Sequence, residues 1–159
     1  MERIPMTRAG YDKLKADLDH LEHNEKPLLQ ERVGRARSEG DLSENAEYHG
    51  ARESLGMLDA RINLLRDKLS RAVLLDPTQF STDQVNFGST VVVKDLDLED
   101  EEEFTLVGAG EEDYDKGRIL ASSPLAQGLM GKKLGDQVVI QVPRGMLRFE
   151  IMAIRRDDA

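Results

Sequence analysis

Along the first half of this 159-residue chain, mainly apolar residues recur at alternating intervals of three and four. One series runs Tyr11, Leu14, Leu18, Leu21, Glu25, Leu28 and Arg32. A second runs Tyr48, Ala51, Leu55, Leu58, Ile62, Leu65, Leu69 and Ala72. Heptad seams of this length predict coiled-coil helices. Glu25 and Arg32 are polar flaws in the first seam, and Pro27, which lacks a backbone N–H, predicts a kink or weak point there. Pairing Leu14 with Ala72, Leu18 with Leu69, Leu21 with Leu65, Leu28 with Leu58 and Arg32 with Leu55 gives index sums of 86 or 87 throughout. A constant sum is what an antiparallel hairpin produces, and half of it puts the turn near residue 43. Gly40 suits a helix C-cap, and Asp41 or Ser43 suits the next N-cap. The predicted arms cover residues near 8–40 and 43–75, each roughly 45–50 Å long, and Asp76-Pro77 ends the second.

From residue 85 the period changes. Thr90–Val93, Phe104–Val107, Gln137–Val142 and Leu147–Met152 fit short strands, and Pro124–Met130 fits one short helix ended by Gly131. The acidic run Glu99–Glu103 reads as a solvated hairpin loop between two strands. The predicted class is α+β: a coiled-coil hairpin over 1–77, then a small antiparallel-sheet domain with one short helix over 78–159.

Charge sharpens this division. The net charge is −9, which argues against a simple nucleic-acid binder. Residues 1–75, however, hold 13 Lys/Arg against 14 Asp/Glu, whereas residues 76–159 hold 9 against 17. Only the first half is close enough to neutral to approach a phosphate chain. The absence of cysteine excludes disulfides and thiolate metal sites. No apolar run approaches the ~20 residues of a membrane span, and the N-terminus has no apolar signal core, so a cytoplasmic protein without membrane contact is expected.

The polar turn holds the candidate chemistry. Asp41 and Glu44 stand three apart, so on a helix they share a face. Two hard oxygen ligands so placed fit a shared Mg²⁺ but are too few to hold it alone. The same Asp-x-x-Glu spacing is also that of a capping box, with both carboxylates favoured by the helix dipole. Arg32, Arg35, Arg37 and Arg52 flank the turn. They fit either a phosphate-contacting patch or a solvated, salt-bridged helix surface. His20, His23 and His49 have no metal-binding or nucleophilic company.

Several segments together resemble the Gre family of bacterial transcript-cleavage factors. They are Ile4-Pro5-Met6-Thr7 with Gly10, the turn Gly40-Asp41-Leu42-Ser43-Glu44-Asn45-Ala46-Glu47-Tyr48, Phe87-Gly88-Ser89-Thr90-Val91, and Ser123-Pro124-Leu125-Ala126 with Gly131-Lys132 and Gly135-Asp136. The resemblance covers nearly the whole chain. It implies an FKBP-like second domain that docks on the rim of the RNA polymerase secondary channel around Ser123 and Pro124, while the hairpin enters the channel. It further implies that Asp41 helps hold an Mg²⁺ shared with the polymerase active centre and that Glu44 orients the attacking water. Arg37 and Arg52 would contact the nascent RNA 3′ end. The chain would then be a monomeric stimulator of the polymerase's own RNA cleavage, not itself an enzyme. Gly50 and Asp17 depart from the family pattern, and Gly50 is expected to loosen the second arm by about 1 kcal/mol relative to alanine. Two rivals remain. A peptidyl-prolyl isomerase would need an aromatic-lined pocket, and Phe80, Phe87, Phe104, Phe149 and Tyr114 are the only aromatics beyond residue 77. An adaptor that merely occupies the channel would not need the turn carboxylates.

Overall fold

The computed structural model describes residues 2–39 and 45–156. It divides into two compact units, one formed by Asp12–Ala72 with the extreme N-terminus, the other by Arg3–Tyr11 and the chain from Val73 onward. The class is α+β, with a helical hairpin in the first unit and a small sheet with one short helix in the second.

The first arm is not one α-helix. It consists of α1 (Arg8–His20), a single π turn (Leu21–Glu25) and α2 (Lys26–Ser38). In the π turn the backbone N–H of Lys26 donates to Leu21 O, one residue further back than in an α-helix. Pro27 follows at once, in the first turn of α2, where a missing N–H costs least. The expected weak point therefore takes the form of one inserted residue.

That insertion changes which residues face the second arm. Leu14 and Leu21 are buried as expected, but Leu28 is 65 % exposed and Arg32 is exposed. Beyond the π turn the inward positions are Leu29, Val33 and Ala36, each one later than the uninterrupted seam predicts. The second arm, α3 (Ala46–Ser70), follows its predicted seam, with Tyr48, Ala51, Leu58 and Ile62 buried. Leu21, Leu58 and Ile62 form a cluster with Leu18, Leu29 and Leu65 packed on it. Ion pairs flank this cluster: Lys26 Nζ lies 2.9 Å from Asp59 Oδ1, and Arg66 pairs with Glu22. The helix also stops earlier than expected, because Ala72–Leu74 is a strand, β2, paired with β1 (Ile4–Met6).

In the second unit the chain's opening motif has a packing reason. Met6 is fully buried. Thr7 caps α1 by accepting from the Gly10 N–H at 3.0 Å. A β-carbon on Gly10 would stand 2.7 Å from the Ala109 carbonyl oxygen, so no larger residue fits. Five further strands, β3 (Ser89–Asp95), β4 (Glu101–Val107), β5 (Arg118–Leu120), β6 (Gln137–Val142) and β7 (Gly145–Arg156), form one sheet in the order β5-β4-β3-β7-β6. All its pairings are antiparallel except β4 with β5, a short parallel strand that the sequence pattern did not reveal. Glu101–Glu103, expected in a loop, are the outer end of β4, where Glu101 lies opposite Lys94 and Glu103 pairs with Arg155. Val91, Val93, Leu106, Ile119, Phe149 and Ile151 make the core with Ala126 and Leu129 of the short helix α4 (Pro124–Leu129).

Candidate functional site

Next to the turn, the two arms are tied together by Asn45. Its backbone is extended, and its Oδ1 accepts from the Tyr48 N–H at 3.0 Å, which makes it the N-cap of α3. Its Nδ2 donates to the Ala36 carbonyl at 2.6 Å, in the last turn of α2. One amide thus satisfies a donor that starts one helix and an acceptor that ends the other. The cap was expected from Asp41 or Ser43. Asn45 takes that role because its side chain both accepts and donates, which neither a carboxylate nor a single hydroxyl does as well here. The signal available was an asparagine immediately before Ala46-Glu47-Tyr48, at the start of the second seam.

Asp41 and Glu44 lie outside the described residues, as does Gly40. Their donor chemistry, two hard carboxylates, fits Mg²⁺ and not a soft metal. Among the described residues, no cluster of three or more His, Cys, Asp or Glu side chains could hold a metal ion.

Arg37 and Arg52 are brought to one edge of the hairpin. Each directly follows a buried alanine of the seam, Ala36 at 1 % and Ala51 at 0 % exposure. In an antiparallel helix pair, the residue after a seam position turns to the same edge on both helices, about 100° round from the contact. Ala36 and Ala51 are buried positions whose index sum of 87 matches that of the predicted hairpin, which puts the two arginines at a similar level. Both side chains are exposed. The Arg52 guanidinium donates to Tyr48 Oη at 3.3 Å, and the buried Tyr48 ring meets the His49 ring edge-on at 5.3 Å. Arg32 and Arg35 fall on the opposite flank, also exposed. Arg35 and Arg37 lie in the last turn of α2, where the helix dipole favours cations, so their presence has a structural reason too.

Ser123 and Pro124 begin α4. Ser123 Oγ accepts from the Ala126 N–H at 3.3 Å, and Pro124 occupies the first helical turn. Pro124 is exposed. Their joint appearance is accounted for by helix initiation, whatever else they contact.

Residues 4–74 match the family profile described as "Transcription elongation factor, N-terminal", and residues 80–156 match "Transcription elongation factor, GreA/GreB, C-term". Transcription elongation factor GreA of Thermodesulfovibrio yellowstonii is 46 % identical over 153 residues, spanning 96 % of this chain and 97 % of that one. The chain belongs to the GreA/GreB family. Transcription elongation factor GreA of Nautilia profundicola is 44 % identical, over 99 % of this chain and 98 % of its own length. Among solved structures, GreA factor homolog 1 of Thermus thermophilus is similar at 24 % identity, with a TM-score of 0.47, over 97 % of this chain and 99 % of that one. The two family profiles and the GreA relatives make this chain a transcription elongation factor of the GreA type. No helix among the described residues is long and apolar enough to cross a membrane.

Proposed function

We propose that this GreA/GreB-family chain binds RNA polymerase, inserts its hairpin into the secondary channel and stimulates cleavage of the nascent RNA 3′ end in backtracked complexes. The observation that supports the reading is the burial of Ala36 and Ala51 just before exposed Arg37 and Arg52, which by helix geometry turns both arginines to one hairpin edge, near in sequence to Asp41 and Glu44. An edge with two guanidiniums grips a phosphate backbone, and guanidinium suits bidentate phosphate contact better than lysine does. In this reading Asp41 supplies one carboxylate ligand, and Glu44 accepts a hydrogen bond from the attacking water and orients it. Mg²⁺ held mainly by the polymerase supplies the charge that stabilises the attacking and leaving oxygens. The chain on its own has no complete hydrolytic centre in this account and acts only on the polymerase. Ser123 and Pro124 belong to the surface that docks at the channel rim.

The two carboxylates are separable by Mg²⁺ titration of RNA release from backtracked complexes. Asp41→Asn should raise the Mg²⁺ concentration needed for half-maximal release. Glu44→Gln should lower the rate at saturating Mg²⁺ and leave the half-maximal concentration nearly unchanged. Both variants should compete with the wild type for polymerase. Titration curves that superimpose on the wild-type curve would remove the carboxylates from the chemistry.

A further inference from the structure

We infer that the π turn at Leu21–Glu25 is a register-setting insertion that puts Arg37 on the same edge as Arg52, so that Leu29, Val33 and Ala36 act as positioning residues for RNA contact. The inference rests on the proposed function for its consequence but on packing alone for its geometry. In an uninterrupted α-helix, the seam that buries Leu14 and Leu21 would continue through Leu28, Arg32 and Arg35. Ala36 would then occupy the edge that follows a seam position, and Arg37 would be turned about 100° further, to the outer back of the hairpin. It would no longer stand beside Arg52.

Three independent observations show that the insertion has shifted the register. The Lys26 N–H donates to Leu21 O across five residues. Leu28 is 65 % exposed whereas Leu29 packs on the Leu21–Leu58–Ile62 cluster. Ala36 is buried at 1 % exposure, and its carbonyl receives Asn45. The sequence has no alternative, because the uninterrupted register would bury the guanidiniums of Arg32 and Arg35 against an apolar seam, where desolvation opposes them. The shifted register uses Leu29, Val33 and Ala36 and leaves all three arginines of α2 in solvent. Ala36 and Ala51 are both small and buried, which permits a close approach of the arms next to Asn45 and favours both guanidiniums serving one phosphate chain.

Because the chain has no cysteine, the register can be read by engineered thiols. A short dithiol cross-linker should join Arg37→Cys to Arg52→Cys efficiently and should join Arg35→Cys to Arg52→Cys poorly, because the latter pair sits on opposite flanks. Deleting exposed Asn24 should convert the first arm to continuous α-helix, keep Leu29, Val33 and Ala36 inward, and leave both cross-linking and RNA release within about twofold of the parent. Moving the arginine by one position with Arg37→Ser and Ser38→Arg keeps the charge and the fold but leaves the edge. It should slow RNA release roughly tenfold, with polymerase binding retained. Equal cross-linking of the 35/52 and 37/52 pairs would overturn the register itself. The expected cross-linking pattern with unchanged release by the relocated arginine would overturn the positioning role. If wild type itself fails to stimulate release, the proposed function fails, and the cross-linking result still decides the register.

Discussion

Asn45 does for this hairpin what no other described side chain near the turn does, since it bonds to the end of one arm and the start of the other. Asn45→Ala removes both bonds and should destabilise the hairpin by about 1–2 kcal/mol, measured by urea unfolding followed by far-UV circular dichroism. Asn45→Asp keeps the acceptor for Tyr48 N–H but sets a carboxylate against the Ala36 carbonyl, so it should recover only part of the loss. A second residue reports on the other unit. Asp76 caps the turn at Pro77–Gln79 by accepting from the Thr78 N–H at 2.9 Å and the Thr78 hydroxyl at 2.7 Å, which hold its carboxyl below its ordinary pKa of 3.8. A depressed carboxyl stabilises the fold fully above its unfolded value and ceases to do so as pH falls through the folded one. Thermal melts of wild type and Asp76→Ala should therefore differ at about pH 5 and converge toward about pH 2. A stability gap that widens on acidification would contradict the capping role. The tight spot at Gly128 is sterically different: a β-carbon there would stand 2.6 Å from Ile140 Cγ1, so Gly128→Ala should cost about 1–3 kcal/mol in the sheet unit.

At the scale of elements, the helical arms differ in how much of them periodicity could show. Every seam position read for α3, from Tyr48 to Leu69, is buried or half-buried. The first arm was legible through Leu21 and then off by one, because a π turn inserts a residue without changing the local composition. The two polar flaws, Glu25 and Arg32, and the proline at 27 were the trace of that insertion, visible as defects but not as a register shift. In the sheet unit, β5 was missed because three residues alongside β4 carry too little pattern to separate a parallel strand from a loop. Glu101–Glu103 were misread because their charge opposes strand propensity, yet on an outward face opposite Lys94 and beside Arg155 that charge is tolerated. Of the candidate site, Asp41, Glu44, Arg37 and Arg52 stand out by spacing and by their place near the turn and take their expected roles from the family resemblance, whereas Asn45 required the cap geometry. The arms also contain removable weakness. Gly34 and Gly56 lie within helices with open space where a β-carbon would stand, and the same holds for Gly50. Alanine at Gly34 or Gly56 should raise hairpin stability by about 0.5–1 kcal/mol each in the same urea experiment, without altering RNA release.

For the whole molecule, the uneven charge acquires a reason. The half that contains the hairpin has near-balanced charge, and its exposed arginines stand beside the turn. The half that contains the sheet has 17 acidic residues against 9 basic ones, a balance that disfavours attraction to nucleic acid. The proposed function fits this division, with the near-neutral half meeting RNA and the acidic half not competing for it. In the proposed function, the turn carboxylates make this factor a stimulator of RNA cleavage rather than an occupant of the channel. The most direct test is the rate of RNA release from purified backtracked polymerase complexes with wild type and with Asp41→Ala at saturating factor. Rapid release is expected with wild type and a rate near the polymerase's own with the variant, while both remain bound. Equal stimulation by the two proteins would contradict it.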